Sequence, residues 1–367
     1  MRSPDPREHE RVPYTTAIAE ADPRGGVLRY RGVDLADLVG VVPFDQVWGL
    51  LVADDLRREL PPAETFPLPA RTGDIRSDVQ SALATVAPVW GFRPLHDIDD
   101  GQALDDLARA SVLTMSFIAQ AIRGPDLPVV PQRVVDEAGS VAERFLFRWR
   151  GEADPWHVEA LDAYFVTAAE HGFSASTYAA RIVASTGADV ATCLSAAVGA
   201  LSGPLHGGAP ARVLSMLNAV AGTDDPRPYL TRRLDARKRI MGFGHSVYRA
   251  RDPRADIIKA VCLRLGAPLT EVAVAVEGAA TELLAERRDD DRIHPNLDLW
   301  VAVLLDFADV PATTFSSLFA SARSAGWSAH ILEQKKADYV IRPYAAYEGP
   351  PPRSLRSVPG WGDEDTR

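Results

Sequence analysis

The chain has 367 residues, more than one compact core usually holds, so we expect a large domain with a smaller one attached and a cleft between them. Hydrophobic residues make up 46% of the chain, charged residues 25%, and the mean hydropathy is -0.09, as in folded globular proteins. A formal net charge of -10 argues against a nucleic-acid or acidic-membrane surface, because such surfaces carry clustered basic residues.

Targeting signals and disulfide patterns are also not evident in the sequence. The leader MRSPDPREHERVPY has no apolar h-region, and the longest apolar run, WVAVLLDFA, is too short to span a bilayer. Cys193 and Cys262 sit within apolar helical patterns, which indicates reduced core thiols. We therefore expect a cytoplasmic protein without nucleic-acid or membrane partners.

Apolar residues spaced three and four apart recur along the chain and predict that almost everything after the stretch GGVLRYRGVDLADLV is helical. The stretch itself is typical of a small β-hairpin that leads into a helix. The predicted helical segments, in chain order, are LDDLARASVLTMSFIAQAI, RVVDEAGSVAERFLFRWR, HVEALDAYFVTAAEH, SASTYAARIVAST, DVATCLSAAVGAL, RADIIKAVCLRLG, TEVAVAVEGAATELLAERR and NLDLWVAVLLDFA. No fixed-period repeat or sustained heptad occurs, so the sequence predicts an all-α globular fold.

Interruptions of the helical pattern suggest where a smaller lobe begins and ends. VAGTDDPRPYLTR is rich in Gly, Asp and Pro and is expected to lead into the smaller lobe. The chain is expected to return to the larger lobe near Pro311 to Gly326. This predicts a large helical domain of residues 1–220 and 327–367 and an inserted small domain of residues 221–326. The tail YEGPPPRSLRSVPGWGDEDTR is expected to be extended or frayed.

Two glycine-rich turns each carry a histidine at the start of a helix. GPLHGGAPARVLSML places His206 where the helix dipole favours a neutral imidazole and glycines allow a ligand close to the backbone. RIMGFGHSVYRARDPRADIIK places His245 before a helix that Asp252 can cap, so that His245 and Arg254 could bind a carbonyl flanked by a carboxylate. A capping-loop histidine and a hinge with a surface histidine remain the alternatives.

Two further segments place charged side chains among apolar ones. In DRIHPNLDLWVAVLLDFADVP, Asp298 lies just inside a helix, either as a half-buried base of raised pKa or as a residue that stabilises the helix dipole. In SLFASARSAGWSAHILEQKKADYVIRPYAAYEG, Arg323 lies on a small apolar face and Arg342 precedes a proline. Arg323 needs either an anion or a buried ionic partner.

Metal and nucleotide fingerprints are missing from the sequence. The histidines form no HxH or HExxH spacing, and no CxxC occurs. No P-loop occurs either, and GFGH lacks the third glycine and the preceding strand of a dinucleotide site. We therefore expect no bound metal.

Taken in order, GPLHGGA, IMGFGHSVYRARDPRA, PNLD and ARSAGWSAHILEQ followed by IRP resemble the citrate synthase family. LRYRG and EHGFSAST match more loosely, so the resemblance covers nearly the whole chain. The length and tail are most similar to an actinobacterial-type second citrate synthase. The resemblance implies a two-domain, all-α fold that condenses acetyl-CoA, oxaloacetate and water to citrate and CoA through an enolate and citryl-CoA.

By residue match, the resemblance implies a role for each candidate. His206 would hold the thioester carbonyl, Asp298 would remove the methyl proton, and His245 would polarise and protonate the ketone of oxaloacetate. Coenzyme A would enter as a substrate thioester, and no separate cofactor is expected. The implied substrate-binding residues are His171, Arg254, Asn296, Phe319, Arg323 and Arg342, and the implied contacts with the adenine end of CoA are Ile240, Met241, Gly242, Phe243 and Gly244.

The family supplies the Arg342 equivalent from a neighbouring subunit, so a homodimer with shared sites is implied. The chain also departs from common family patterns. Many bacterial members have Asp-His-Glu and a downstream asparagine where this chain has Glu170, His171, Gly172 and Ser174. Ser246 stands where many have arginine, and Leu299 and Trp300 replace the usual Phe-Tyr.

Two alternatives follow from these departures. A 2-methylcitrate synthase that uses propionyl-CoA is close, because one methylene in a pocket is worth only about 1–3 kcal/mol. A non-catalytic sensor of acyl-CoA or dicarboxylates is the more distant alternative. The chain retains Asp298, which a protein that only binds these ligands does not need.

Overall fold

The computed structural model describes residues 14–22, 26–203, 206, 209–245, 247–248, 251–288 and 293–361. They belong to two units: one spans Thr16–Val340, and the described part of the other comprises residues 14–15 and 341–361. The leader up to residue 13, the end of the tail from residue 362, Gly207, Gly208 and Ser246 lie outside the described residues.

A small antiparallel sheet opens the larger unit. Its strands are β1 (Ala19–Asp22), β2 (Val27–Tyr30) and β3 (Val33–Asp34), in the order β1-β2-β3, with Ala19 and Val33 both opposite Tyr30. The predicted hairpin is therefore present, and the structure adds a third short strand. The chain reverses at Arg31 and Gly32, both at positive φ (49° and 84°), as tight two-residue turns between strands require.

Helices form nearly all the remaining regular structure, so the all-α prediction is confirmed. They are α1 (Leu35–Leu38), α2 (Phe44–Ala53), α3 (Ile75–Trp90), α4 (Asp100–Arg123), α5 (Gln132–Asp136), α6 (Val141–Arg150), α7 (Pro155–Ala168), α8 (Ala175–Ser185), α9 (Val190–Leu201), α10 (Ala209–Val220), α11 (Arg227–Asp235), α12 (Pro253–Leu265), α13 (Thr270–Arg288), α14 (Leu297–Phe307) and α15 (Phe315–Ala337). Short 3-10 turns occur at Leu95–Asp97, Ala312–Thr314 and Leu355–Ser357.

The helices differ from the predicted segments in two respects. The segment 133–150 forms two helices, α5 and α6, because Ser140 caps α6 by accepting from the backbone N–H of Glu143. Helices α2 and α3 are not among the individually predicted segments, and α11 begins inside VAGTDDPRPYLTR, the stretch expected to interrupt the helical pattern. Both cysteines are buried and free, as expected.

Helix α15 runs through the core of the larger unit and packs against α2, α4, α7, α8 and α9. Trp327 and Ile331 on this helix are fully buried. Gly326 allows the segment after α7 to approach, because a Cβ there would overlap the carbonyl of Ala169 and the carboxylate of Glu170. The boundary proposed between residues 326 and 327 falls inside α15, and the division into two domains stays a prediction.

Candidate active site

One cavity of about 720 Å³ brings most of the predicted site residues together. Its walls come from the segment after α7, from the turns before α10 and α12, and from the first turns of α14 and α15. The predicted residues that line it are His171, His206, His245, Arg254, Asn296, Asp298, Phe319 and Arg323. Side chains that are far apart in sequence therefore face one space.

His206 is half-buried, and its surroundings favour the neutral ring. Its Nε2 lies 2.9 Å from Ser176 Oγ and accepts, at 3.4 Å, from the backbone N–H of Ser176. The indole Nε1 of Trp327 donates to the same hydroxyl at 3.2 Å. Burial, and then the charge of Arg323, lower the pKa of His206. Because Nε2 accepts, the proton of the neutral ring lies on Nδ1.

His245 and Arg254 present adjacent hydrogen-bond donors. The Nδ1 of His245 accepts from the backbone N–H groups of Val247 at 3.0 Å and Tyr248 at 3.2 Å, which assigns a neutral ring's proton to Nε2. That Nε2 lies 3.2 Å from Arg254 Nη2. Two donors at this spacing suit one shared acceptor oxygen of a ligand.

Asp252 holds Arg254 in place. It binds Arg254 bidentately, through Nε at 3.0 Å and Nη2 at 2.9 Å, and caps α12 by accepting from the backbone N–H of Arg254. Burial alone would raise the pKa of Asp252, but the charge and hydrogen bonds of Arg254 outweigh it, and the pKa is lowered. The expected capping role of Asp252 is confirmed, and Arg254 is buried as half of an ion pair.

Asp298 lies in the first turn of α14 as predicted, with its carboxylate half-buried. Burial raises its pKa to about 6; the charge of Arg254 opposes this rise and that of Asp252 adds to it. Among the described residues, no hydrogen bond is donated to its carboxylate oxygens. A carboxylate that is weakly solvated and faces a cavity has the properties of a general base.

His171 and Arg323 both line the cavity. The Nε2 of His171 lies 3.1 Å from the hydroxyl of Tyr248, and burial, followed by the charges of Arg254 and Arg323, holds the pKa of His171 well below its ordinary value. Arg323 is 2% exposed, donates through Nε to the carbonyl of Ala168 at 2.8 Å, and lies 4.6 Å from the ring centroid of Phe319. No carboxylate of the described residues lies within ion-pair distance of Arg323.

Asn296 and the Gly-Phe-Gly turn form one hydrogen-bonded unit. Asn296 caps α14 by accepting from the backbone N–H of Asp298 at 3.0 Å, and its Nδ2 donates to the carbonyl of Gly244 at 2.8 Å. The backbone N–H of Asn296 donates to the carbonyl of Gly242 at 2.9 Å. Asn296 therefore orients the turn and the base together, and its contact with substrate stays a prediction.

Some predicted residues do not line the cavity. The segment Ile240–Gly244 lies outside its lining, and the contact of this segment with CoA stays a prediction. Arg342 belongs to the smaller unit, where its side chain is exposed, and its role in a neighbouring site also stays a prediction.

Sequence reasoning missed the residues that shape the walls and the one that orients His206. The unpredicted lining residues are Phe173, Ser174, Ala175, Ala200, Gly203, Val247 and Leu297. Ser176, which contacts His206, lies in EHGFSAST, one of the looser matches. An ordinary helix-start serine carries no signal for contact with a histidine thirty positions later.

The described ranges contain no group of three or more His, Cys, Asp or Glu side chains placed to hold a metal ion. Within the same ranges, none of the helices combines the length and the apolar character that crossing a bilayer requires.

Comparison with known proteins adds independent information. Residues 10–344 match the family model described as "Citrate synthase, C-terminal domain". The chain is 57% identical over 351 residues to "Putative citrate synthase 2" of Mycobacterium tuberculosis, which covers 95% of this chain and 94% of that one. It is 31% identical to the 2-methylcitrate synthase of Shewanella oneidensis, covering 93% of each chain.

A solved structure agrees over almost the full length. The citrate synthase of Thermoplasma acidophilum, in a ternary complex with carboxymethyl coenzyme A and oxaloacetate, has a TM-score of 0.75 and 25% identity, covering 97% of this chain and 98% of that one. Because the family match spans most of the chain and the fold agrees with it, this chain is an enzyme of the citrate synthase family.

Proposed function

We propose that this enzyme condenses acetyl-CoA with oxaloacetate and water, releasing citrate and CoA. The observation that carries the proposal is the shared cavity, where a base of raised pKa, two histidines with assigned donor atoms and two buried arginines face one space. The complex of the Thermoplasma relative with a CoA derivative and oxaloacetate supports the substrate class.

The first step is removal of a proton from the acetyl methyl group. Asp298 takes the proton, because burial has made its carboxylate more basic than an exposed one. The Nδ1–H of neutral His206 donates to the thioester oxygen as negative charge develops there, in the manner of an oxyanion hole. The contact of Ser176 with Nε2 supports this role, because it leaves Nδ1 as the nitrogen that carries the proton.

The second step joins the enolate carbon to the ketone carbon of oxaloacetate. His245 Nε2–H and Arg254 Nη2 share the ketone oxygen, which their separation of 3.2 Å supports, and His245 protonates it as the new carbon–carbon bond forms. His171 and Arg323 bind the substrate carboxylates. Water then cleaves citryl-CoA, giving citrate and CoA.

The arrangement beyond a single site is also proposed. We expect a homodimer in which Arg342 completes the site of the neighbouring subunit, and a small domain, residues 221–326, that closes over CoA with Ile240–Gly244 at its adenine end. Closure would exclude water and protect the thioester.

Propionyl-CoA is the second candidate acyl donor, since the chain is about as similar to a 2-methylcitrate synthase, at 31%, as to the citrate synthase of Synechocystis, at 32%. A non-catalytic sensor is not favoured, because binding alone does not require Asp298.

The test is CoA release from purified protein with oxaloacetate and either acyl-CoA, followed with a thiol reagent. A higher kcat/KM with acetyl-CoA supports the proposal, and a higher value with propionyl-CoA makes the protein a 2-methylcitrate synthase. No release with either would contradict both.

A further inference from the structure

A buried chain of polar side chains, which none of the proposed steps uses, lies beside the cavity. Arg181 of α8, His330 of α15 and Glu170 after α7 are each 3% exposed or less. Arg181 Nη1 lies 3.0 Å from His330 Nδ1, and His330 Nε2 lies 3.0 Å from Glu170 Oε1. These three side chains connect two helices with the segment that carries His171.

The direction of the hydrogen bonds follows from the chemistry of the groups. A guanidinium only donates, so His330 Nδ1 accepts from Arg181, and the ring therefore donates its Nε2–H to Glu170. Glu170 Oε1 also accepts from the backbone N–H of Gly172. The charge of Arg181 is matched by Glu333, at 2.6 Å. The carboxylate of Glu170 thus connects the backbone of Gly172, which follows His171, with His330 of α15.

Phe173 is held by the same side chains. Its ring lies edge-on to the ring of His330, with centroids 5.2 Å apart, and the guanidinium carbon of Arg181 is 4.7 Å from its centroid. His171 and Phe173 both line the cavity. The buried side chains of Arg181, His330 and Glu170 therefore fix two residues of the cavity wall.

Helix α15 donates hydrogen bonds to three successive residues of this segment. Arg323 donates to the carbonyl of Ala168, the backbone N–H of Gly326 donates to that of Ala169 at 3.1 Å, and His330 donates to Glu170. The spacing of three and four residues between the three places them on one helix face.

We propose that Glu170 and His330 are positioning residues for the oxaloacetate end of the cavity. Together with Arg181 they fix residues 170–174, so that His171 presents its ring to a substrate carboxylate without a rearrangement on binding. The role of His171 in this inference rests on the proposed function. The inference predicts that disturbing His330 weakens use of oxaloacetate far more than use of the acyl-CoA.

The test compares two substitutions of His330 with a control on the same helix. His330→Leu removes both hydrogen bonds, and we expect the KM for oxaloacetate to rise roughly 10- to 100-fold, with little change in the KM for the acyl-CoA. His330→Gln keeps a donor that can reach Glu170 and should recover most of the loss. Ser328→Ala removes a buried contact with Ser111, 2.9 Å away, and should lower thermal stability without changing either KM.

Several results would overturn the inference. An unchanged KM for oxaloacetate in folded His330→Leu would do so, as would equal effects of His330→Leu and Ser328→Ala. If His330→Leu does not fold, two-bond ¹H–¹⁵N spectra of the wild-type imidazoles replace the kinetic test, and His330→Gln serves to assign the signals of His330. A proton on Nε2 of His330 supports the hydrogen bonds from Arg181 to His330 and from His330 to Glu170. A proton on Nδ1 refutes them.

Failure of the proposed function is distinguishable from failure of this inference. If the wild-type protein turns over neither acyl-CoA, calorimetric binding of oxaloacetate replaces KM. Weaker binding by His330→Leu than by His330→Gln then supports the positioning role, and equal binding overturns it.

Discussion

Asp252 Oδ2 accepts a hydrogen bond at 3.0 Å from the backbone N–H of Leu297, so the carboxylate that orients Arg254 also holds the first turn of the helix carrying Asp298. One buried group thereby sets the relative positions of the arginine proposed to bind substrate and of the proposed base. Catalysis that depends on geometry to within fractions of an ångström benefits from such a shared anchor.

Substitution Asp252→Asn should therefore reduce both stability and turnover. The change leaves the buried guanidinium of Arg254 without its counter-charge, and breaking a buried pair in this way costs about 3–5 kcal/mol. We expect a lower midpoint of urea unfolding and a lower kcat/KM. Asp55→Asn, at the pair formed with exposed Arg57, is the matched control and should leave both unchanged.

Asp298→Asn tests the base directly. We expect kcat to collapse while oxaloacetate still binds, since His171, His245 and the arginines are untouched. Turnover near the wild-type level would show that another group removes the proton. Asp306→Asn, at the other end of the same helix, where the side chain is half-buried, should have no effect on kcat.

The pH dependence of Asp298 gives a second prediction. As a base it must be ionised, so kcat/KM should fall as the pH drops below about 6. For stability the sign is opposite: its folded pKa is raised, so the folded state holds the proton more tightly, and stability falls as the pH rises from the ordinary value of 3.8 to about 6, above which the loss is complete. Asp298→Asn should then raise Tm at pH 8 relative to wild type and leave it nearly unchanged at pH 4. No gain in Tm at pH 8 would contradict a desolvated carboxylate.

Many of the residues that line the cavity could be singled out from local sequence because they lie at glycine-rich turns and at the starts of helices. His206 and His245 follow glycine-rich turns, and Asp252 and Asp298 lie at helix starts, where capping rules apply. Glu170, His330 and Ser176 could not be found this way. Each looks like an ordinary helical or loop residue, and its importance depends on partners 30 to 160 positions away. The short strand β3 was missed for a related reason: two residues are too few to show an alternating pattern.

Gly242→Ala probes the turn before His245, which accepts a hydrogen bond from the backbone of Asn296 and so contacts the start of the helix that carries the proposed base, Asp298. Gly242 has φ of +84°, and a Cβ there would come within 3.0 Å of Leu299 Cβ and 3.3 Å of Leu299 N. An alanine both strains the backbone and pushes against the first turn of α14, so we expect lower stability and a reduced kcat because Asp298 moves. Gly266→Ala is the matched control: it has φ of +67° but open space around it, so it should cost stability through backbone strain alone. Thermal unfolding and steady-state kinetics of both variants separate the two effects. An unchanged kcat in Gly242→Ala would show that the turn does not position the base.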